Sequence, residues 1–232
     1  MKLLGLIAGM SWENTIDYYR IINEMVKERL GEWYSAEILL YSVNFEEVLN
    51  LQNQNNWNEL IKLMIEISTK LETVGSKAIV ICSNTMHKIA NEIEAEISIP
   101  LINVIDETAK DIKSSKIQTV GLLGTKFTME GGFYVEKLKK KYKIKCLIPD
   151  KVEREYIHNA IYHEFAKGTF LQSTRKEFIM IIENLIKNGA EGIILGCTEL
   201  PLLIRSQDVK VSLYDTLRIH LKSAVDFSLS QI

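Results

Sequence analysis

The feature that most restricts the fold of this chain is a repeat. Gly5-Leu6-Ile7-Ala8-Gly9 returns 116 residues later as Gly121-Leu122-Leu123-Gly124-Thr125. A second pair keeps nearly the same interval. Gly75-Ser76-Lys77-Ala78-Ile79-Val80-Ile81-Cys82-Ser83 is echoed by Gly189-Ala190-Glu191-Gly192-Ile193-Ile194-Leu195-Gly196-Cys197-Thr198, and Cys82 and Cys197 are 115 residues apart. Each half therefore opens with a glycine-bearing apolar run and later presents a cysteine where another such run stops.

Short β-branched or leucine-rich runs predict strands over 3–8, 36–41, 78–82, 101–103, 119–123, 143–147 and 192–196. Helical periods fall between them, over 11–30, 57–74, 85–96, 107–114, 128–142, 151–166, 174–188 and 215–230. Strands too apolar to have a wet face, alternating with helices, belong to parallel sheets covered on both sides. The expected class is α/β: two pseudo-symmetric Rossmann-like halves with parallel sheets, with the active site in the cleft between them. The first domain is expected to take residues 1–104 plus 210–232, the C-terminal helix returning to it after an extended 209–213, and the second 105–209.

Composition narrows the partners. The net charge is −2 and the 28 basic residues are spread along the chain, so no basic footprint for nucleic acid is present. The opening MKLLGLIAGM imitates a signal peptide but is short, runs into the polar Ser11-Trp12-Glu13-Asn14 and lacks an A-x-A site, so it reads as a strand. No stretch approaches 18 uninterrupted apolar residues, which argues against a membrane span. The three cysteines, Cys82, Cys146 and Cys197, are odd in number and widely spaced, as free thiols in a reducing cytoplasm would be. Four histidines without paired ligand spacing give no support to a metal site. A small-molecule partner is expected, with no nucleic acid and no membrane.

Ligands of open parallel sheets bind beyond the carboxyl ends of the strands, where Cys82 and Cys197 both fall. A free thiol has a pKa near 8.5, leaving about 3% thiolate at pH 7, and a helix N-terminus can lower it. Ser83-Asn84-Thr85 and Thr198-Glu199 are capping types whose backbone N–H groups are expected to face each sulfur. A buried cysteine ending a strand is otherwise a small hydrophobe. Cys146, with no polar residue after it, reads as structural. Two thiols on opposite faces of one carbon suggest racemisation or epimerisation, one taking a proton and the other delivering one. His87 offers a rival reading, acyl transfer by a single cysteine, but on a helix it is expected at a cleft rim or beside a neighbouring helix.

GMSWENTIDYY, CSNTMHK and GCTELPLL resemble the three signature segments of the cofactor-independent aspartate/glutamate racemase family, and the likeness covers nearly the whole chain. It is greatest to the branch that includes a broad-specificity amino-acid racemase. The resemblance implies an amino-acid racemase with no pyridoxal phosphate and no metal, a homodimer, and Cys82 and Cys197 as catalytic residues. It also implies that Met10, Ser11, Ser83, Asn84, Thr85, Thr198 and Glu199 line the substrate. Gln52, Thr125 and Thr128 rest on looser matches; for Gln52 and Thr128 a solvated surface or a helix cap is an equal alternative. Aspartate-specific members carry an arginine shortly after the second strand; here Tyr41-Ser42-Val43-Asn44-Phe45-Glu46-Glu47 has none, and no arginine occurs between Arg29 and Arg154. Lys167 is one position out of register with a family lysine. Losing a bidentate carboxylate clamp relaxes discrimination between acidic and neutral side chains. Two other readings stay open: a dicarboxylate isomerase or decarboxylase using one cysteine, and a non-catalytic amino-acid-binding protein. Trp12, Tyr18 and Tyr19 read as core or subunit interface, and the run Lys137, Lys139, Lys140, Lys141, Lys143 as a solvated helix end.

Overall fold

The computed structural model describes residues 1–230. They form two compact units, one from Met1–Asn103 with the chain from His220 onward, the other from Val104–Ile219.

In the first unit, β1 (Leu4–Ala8), α1 (Trp12–Leu30), β2 (Ile38–Ser42), α2 (Phe45–Asn53), α3 (Trp57–Thr73) and β3 (Ala78–Ile81) are followed by a 3-10 turn (Thr85–Ile89) and α4 (Ala90–Glu94). All strand pairing is parallel, in the order β2-β1-β3, with Leu6 opposite both Leu40 and Val80. A further parallel bridge joins Ile79 to Leu101 on the outer side of β3. β1 and β3 are buried along their whole length, as continuous apolar runs require when helices cover both faces. Ile7, Ile79 and Ile81 pack with Met64 and Ile67 of α3. Full burial of each such side chain stabilises by about 1.5–3 kcal/mol.

The second unit contains α5 (Val104–Ser114), β4 (Thr119–Gly124), α6 (Lys126–Glu130), α7 (Phe133–Lys137), β5 (Lys145–Leu147), α8 (Lys151–His163), α9 (Gln172–Lys187), β6 (Gly192–Gly196), α10 (Leu200–Leu203) and β7 (Ser212–Asp215), with α11 (Thr216–Leu229) following. Its sheet is again all parallel, in the order β5-β4-β6-β7. Leu122, Ile193 and Ile194 pack with Phe178 and Ile182 of α9 and with Tyr134 of α7. α8 starts on a capping box in which Asp150 and Glu153 exchange side-chain and backbone bonds, satisfying two otherwise orphaned N–H groups.

The repeat is thus a repeat of topology. The orders β2-β1-β3 and β5-β4-β6 correspond, and the Leu101 bridge stands beside β3 as β7 stands beside β6. Several expectations change. The segment expected to be extended at 209–213 runs into a paired strand, β7, which continues to Asp215, where the helix was expected to start, with Leu213 and Tyr214 opposite Ile193 and Ile194 of β6. Residues 210–219 therefore belong with the second unit, and the return to the first begins at His220 rather than at 210. There Lys2 N–H donates to the Ser228 carbonyl and Arg29 pairs with Asp226 at 2.5 Å. Residues 231 and 232 of the expected first-domain segment lie outside the described residues. The single long helix expected over 128–142 is two short helices and a π turn, broken at Gly131-Gly132, where Gly132 has φ +76°.

Gly9 ends β1 with φ +91°, and a Cβ there would lie 2.5 Å from the Val43 carbonyl oxygen and 2.7 Å from the Val43 nitrogen. Both the backbone angle and the close approach of β2 require glycine. Gly9→Ala is expected to destabilise the protein by about 1–3 kcal/mol from strain alone, lowering Tm by about 2–4 °C per kcal/mol in a chain of this size. Thermal unfolding followed by circular dichroism checks this; an unchanged Tm would show that the loop tolerates a side chain.

Candidate active site

The first unit assembles its candidate residues on the loops leaving β1 and β3. Ser11 caps α1 by accepting from Asn14 N–H at 3.4 Å. Thr15 Oγ1 accepts from Gly9 N–H and donates to the Ser11 carbonyl, both at 2.8 Å, so Met10 and Ser11 are held between two bonds of one hydroxyl. One turn into α1, Asn14 Nδ2 donates to the Cys82 carbonyl at 2.9 Å, while Cys82 N–H donates to the Ile7 carbonyl at 2.9 Å. The β1 loop and the cysteine loop are thereby one construction. Gln52, expected to be either a binding group or a solvated surface residue, is buried on α2 and directs Nε2 at Met86 Sδ, 3.2 Å away. Among the described residues, Gln52 Oε1 and Asn14 Oδ1 are buried acceptors without a hydrogen-bond partner. An acceptor left in that state costs about 1–3 kcal/mol, which a ligand donor would offset. Asn84 and Thr85 are buried and Ser83 is half-buried, but Asn84 heads its 3-10 turn without a capping side-chain bond.

The second unit places its candidates beyond β4 and β6. Thr125 is the N-cap of α6, its Oγ1 accepting from Thr128 N–H at 3.2 Å and lying 3.1 Å from Thr128 Oγ1. Thr128 is fully buried, and its side chain fills the space beside Gly124 that a Cβ there would enter. The helix-cap alternative raised for Thr128 is thus filled by Thr125. Past β6, Cys197 Sγ donates to Glu199 Oε2 at 2.9 Å, and Thr198 Oγ1 donates to the same oxygen at 2.8 Å. The Thr198 and Glu199 backbone N–H groups lie on the side that favours the thiolate and act to lower the Cys197 pKa.

The electrostatics reverse the expectation of acidified thiols. Burial pushes the Cys82 thiol well above its ordinary range. Cys197 is raised as well, first by burial and then by the neighbouring Glu199 carboxylate, against which the two backbone N–H groups pull the other way. Desolvation penalises the charged form more than those dipoles favour it. The two sites are therefore equivalent in topology and unlike in chemistry, since a carboxylate stands beside Cys197 and burial alone acts on Cys82. Cys146 lies on β5, and burial pushes its thiol up to about 12.

The remaining residues divide. His87 takes the second of its two expected places, buried beside α11 with its ring centroid 5.5 Å from that of His220 and its Nδ1 2.8 Å from the Ser83 carbonyl oxygen. Tyr18 is buried and its hydroxyl lies 3.1 Å from His220 Nδ1, whereas Trp12 and Tyr19 are more than half exposed. Lys137 and Lys141 are not merely solvated, because both pair at 3.1 Å with the largely buried Asp106. Lys167 is exposed. Asn14, Tyr18 and His220 were not singled out as site supports; only the position of Asn14 inside GMSWEN hinted at a role. Among the described residues, no group of three or more His, Cys, Asp or Glu side chains is placed to hold a metal ion, and no helix is long and apolar enough to cross a membrane.

The sequence profile of the Asp/Glu/hydantoin racemases matches residues 7–224. The chain belongs to that family. It is an isomerase, a racemase of amino acids. The crystal structure of a candidate Asp/Glu racemase from Yersinia pestis is 44% identical, with a TM-score of 0.93 over 99% of this chain and 100% of that one. An aspartate racemase homologue from Pyrococcus horikoshii is 33% identical, with a TM-score of 0.86 over 98% of this chain and 99% of the other. The broad specificity amino-acid racemase RacX of Bacillus subtilis is 22% identical over 98% of this chain and 99% of its own.

In this racemase the carboxylate beside Cys197 disfavours the thiolate, so Glu199→Gln should shift the pH dependence of iodoacetamide alkylation at Cys197 to lower pH and leave Cys82 unmoved. Peptide mass spectrometry across a pH series reads both sulfurs in one sample. An unchanged Cys197 profile would mean that Glu199 does not act on the sulfur.

Proposed function

We propose that the protein racemises amino acids without pyridoxal phosphate by a two-base proton transfer between Cys82 and Cys197. The observation that carries this reading is the matched placement of the two sulfurs. Each follows the strand that pairs on one side with the first strand of its unit, and each sits before a polar turn.

The resting thiols are neutral, so a base must be made when substrate arrives. Glu199, already accepting the Cys197 S–H bond, takes that proton. The Cys197 thiolate then removes the Cα proton, and the Cys82 thiol delivers its own to the opposite face. The substrate carbon ends inverted, Cys197 is a thiol, Cys82 a thiolate and Glu199 an acid; exchange with solvent returns the proton from Glu199 to Cys82. The reverse direction begins from the Cys82 thiolate. Negative charge grows on the substrate α-carboxylate as Cα–H breaks, and backbone N–H groups and hydroxyls at Ser83, Asn84, Thr85 and Thr198 would stabilise it, the largest kind of contribution to such a step. Met10, Ser11, Gln52, Thr125 and Thr128 complete the proposed binding set. We assign the reaction to the cytoplasm, on the free thiols. A homodimer is supported by the base rate of twofold assemblies and by the exposed stripe Trp12, Ile16 and Tyr19 on α1.

Single enantiomers in deuterated water test the mechanism. Wild type should lose optical rotation and gain deuterium at Cα together, while Cys82→Ala and Cys197→Ala should each lower the rate by at least about 10³-fold, as loss of a general acid or base does at the upper part of its range. Racemisation that survives both substitutions would defeat the reading. A covalent adduct on Cys82 with Cys197 dispensable would point instead to single-cysteine isomerase or decarboxylase chemistry, and binding without exchange to a protein that holds amino acids without turnover.

Substrate breadth follows from what β2 leads into. Ser42, Val43 and Asn44 are uncharged, and Asn44 is occupied capping α2 and donating to Glu47. With no cation there, neutral amino acids should be turned over with kcat/KM within about tenfold of aspartate, one methylene-scale difference in binding free energy. A panel of both enantiomers of acidic and neutral amino acids decides this; a preference for aspartate above about a thousandfold would require a clamp that residues 41–47 do not supply.

A further inference from the structure

Behind the Cys82 loop, the first unit buries two histidines and a tyrosine in hydrogen-bonded order. His87 is 4% exposed, His220 0% and Tyr18 1%. The bonds fix which ring nitrogens carry hydrogen. His87 Nδ1 is 2.8 Å from the Ser83 carbonyl oxygen, which can only accept, so Nδ1 is the protonated nitrogen. His220 Nε2 is 2.6 Å from the Ile102 carbonyl oxygen and donates for the same reason. In the neutral ring His220 Nδ1 is then an acceptor, and it takes the Tyr18 hydroxyl at 3.1 Å. The His87 and His220 rings meet edge to face, with centroids 5.5 Å apart.

We propose that His87 is a positioning residue for Cys82. Cys82 is clasped on both sides of its Cα. Its N–H is fixed on the Ile7 carbonyl and its own carbonyl on Asn14 Nδ2, while the next carbonyl, that of Ser83, is fixed on His87. Tyr18 follows Asn14 by one turn of α1, so one helix holds the cysteine directly through Asn14 and supports His87 through His220. Proton transfer depends steeply on the placement of the donor atom, and an error of about 1 Å can cost about 10²-fold. Leucine at 87 fills similar space and removes the donor, whereas asparagine keeps an N–H near the position of Nδ1.

The inference rests on the reading that Cys82 exchanges the Cα proton, so the test measures the sulfur as well as turnover. His87→Leu, His87→Asn and Tyr18→Phe are assayed for kcat and KM with each enantiomer, and for iodoacetamide alkylation of Cys82 and Cys197 in the same protein. His87→Leu should lower kcat about 10²-fold with KM within about threefold. It should change the Cys82 alkylation rate at least fivefold and leave Cys197 within twofold. His87→Asn should restore kcat to within tenfold of wild type, and Tyr18→Phe should give a weaker form of the His87→Leu pattern. Equal behaviour of the Leu and Asn variants, joint changes at both sulfurs, or an unchanged Cys82 would overturn the proposal. If His87→Leu does not fold, Tyr18→Phe, which removes one hydroxyl, decides by the same two-sulfur comparison. Should Cys82→Ala retain racemisation, the proposed mechanism falls, while the alkylation rates still show whether His87 positions the thiol.

Discussion

Parallel pairing of β1 with β3 and of β4 with β6 is the constraint on which the rest depends. Strands that run the same way end on the same side, so every loop leaving them emerges along one edge of its sheet. β1, β3 and β6 are buried end to end and β4 from Val120 onward, so polar residues stand only at strand ends. Cys82 and Cys197 occupy that boundary in their respective units, as do Met10-Ser11 and Thr125 after β1 and β4. The loops are then fixed by short bonds among themselves: Thr15 to Gly9 and Ser11, Asn14 to Cys82, Thr125 to Thr128, Glu199 to Cys197 and Thr198.

Equivalence of position has not produced equivalence of environment. Around Cys82 the polar contacts are all with uncharged groups: its N–H and carbonyl are bonded to Ile7 and Asn14, and its Sγ donates a long bond of 3.9 Å to the Val80 carbonyl. Around Cys197 a carboxylate reaches the sulfur, Glu199 Oε2 accepting from Sγ at 2.9 Å. In the proposed two-base reaction this difference gives the Cys197 proton an acceptor at hand in Glu199, which Cys82 lacks among the described residues.

The strands and long helices were legible because their signals are local. β1, β3, β4 and β6 announce themselves by uninterrupted apolar runs, and the 115-residue interval exposes the doubling. β7 was not legible as a strand: Ser212-Leu213-Tyr214-Asp215 is short and half polar, and only its partner β6 makes it one. The nine residues of α2 were missed because Phe45–Asn53 offers little more than two turns of amphipathic pattern. Asn14 and His220 act on carbonyls 68 and 118 residues away, so no sequence spacing could reveal them. The expected acidification of the thiols failed for a related reason. A helix start can be read from a few residues, but the depth of burial that outweighs it is set by the whole packed unit.

That depth has a chemical consequence beyond turnover. Peroxide and electrophiles attack the thiolate and spare the thiol. Burial disfavours the thiolate at Cys82, and at the partly exposed Cys197 burial and the Glu199 carboxylate disfavour it together. In the proposed mechanism the same surroundings that make these sulfurs reluctant bases also make them durable, because between turnovers both stay in the thiol form that oxidants attack slowly.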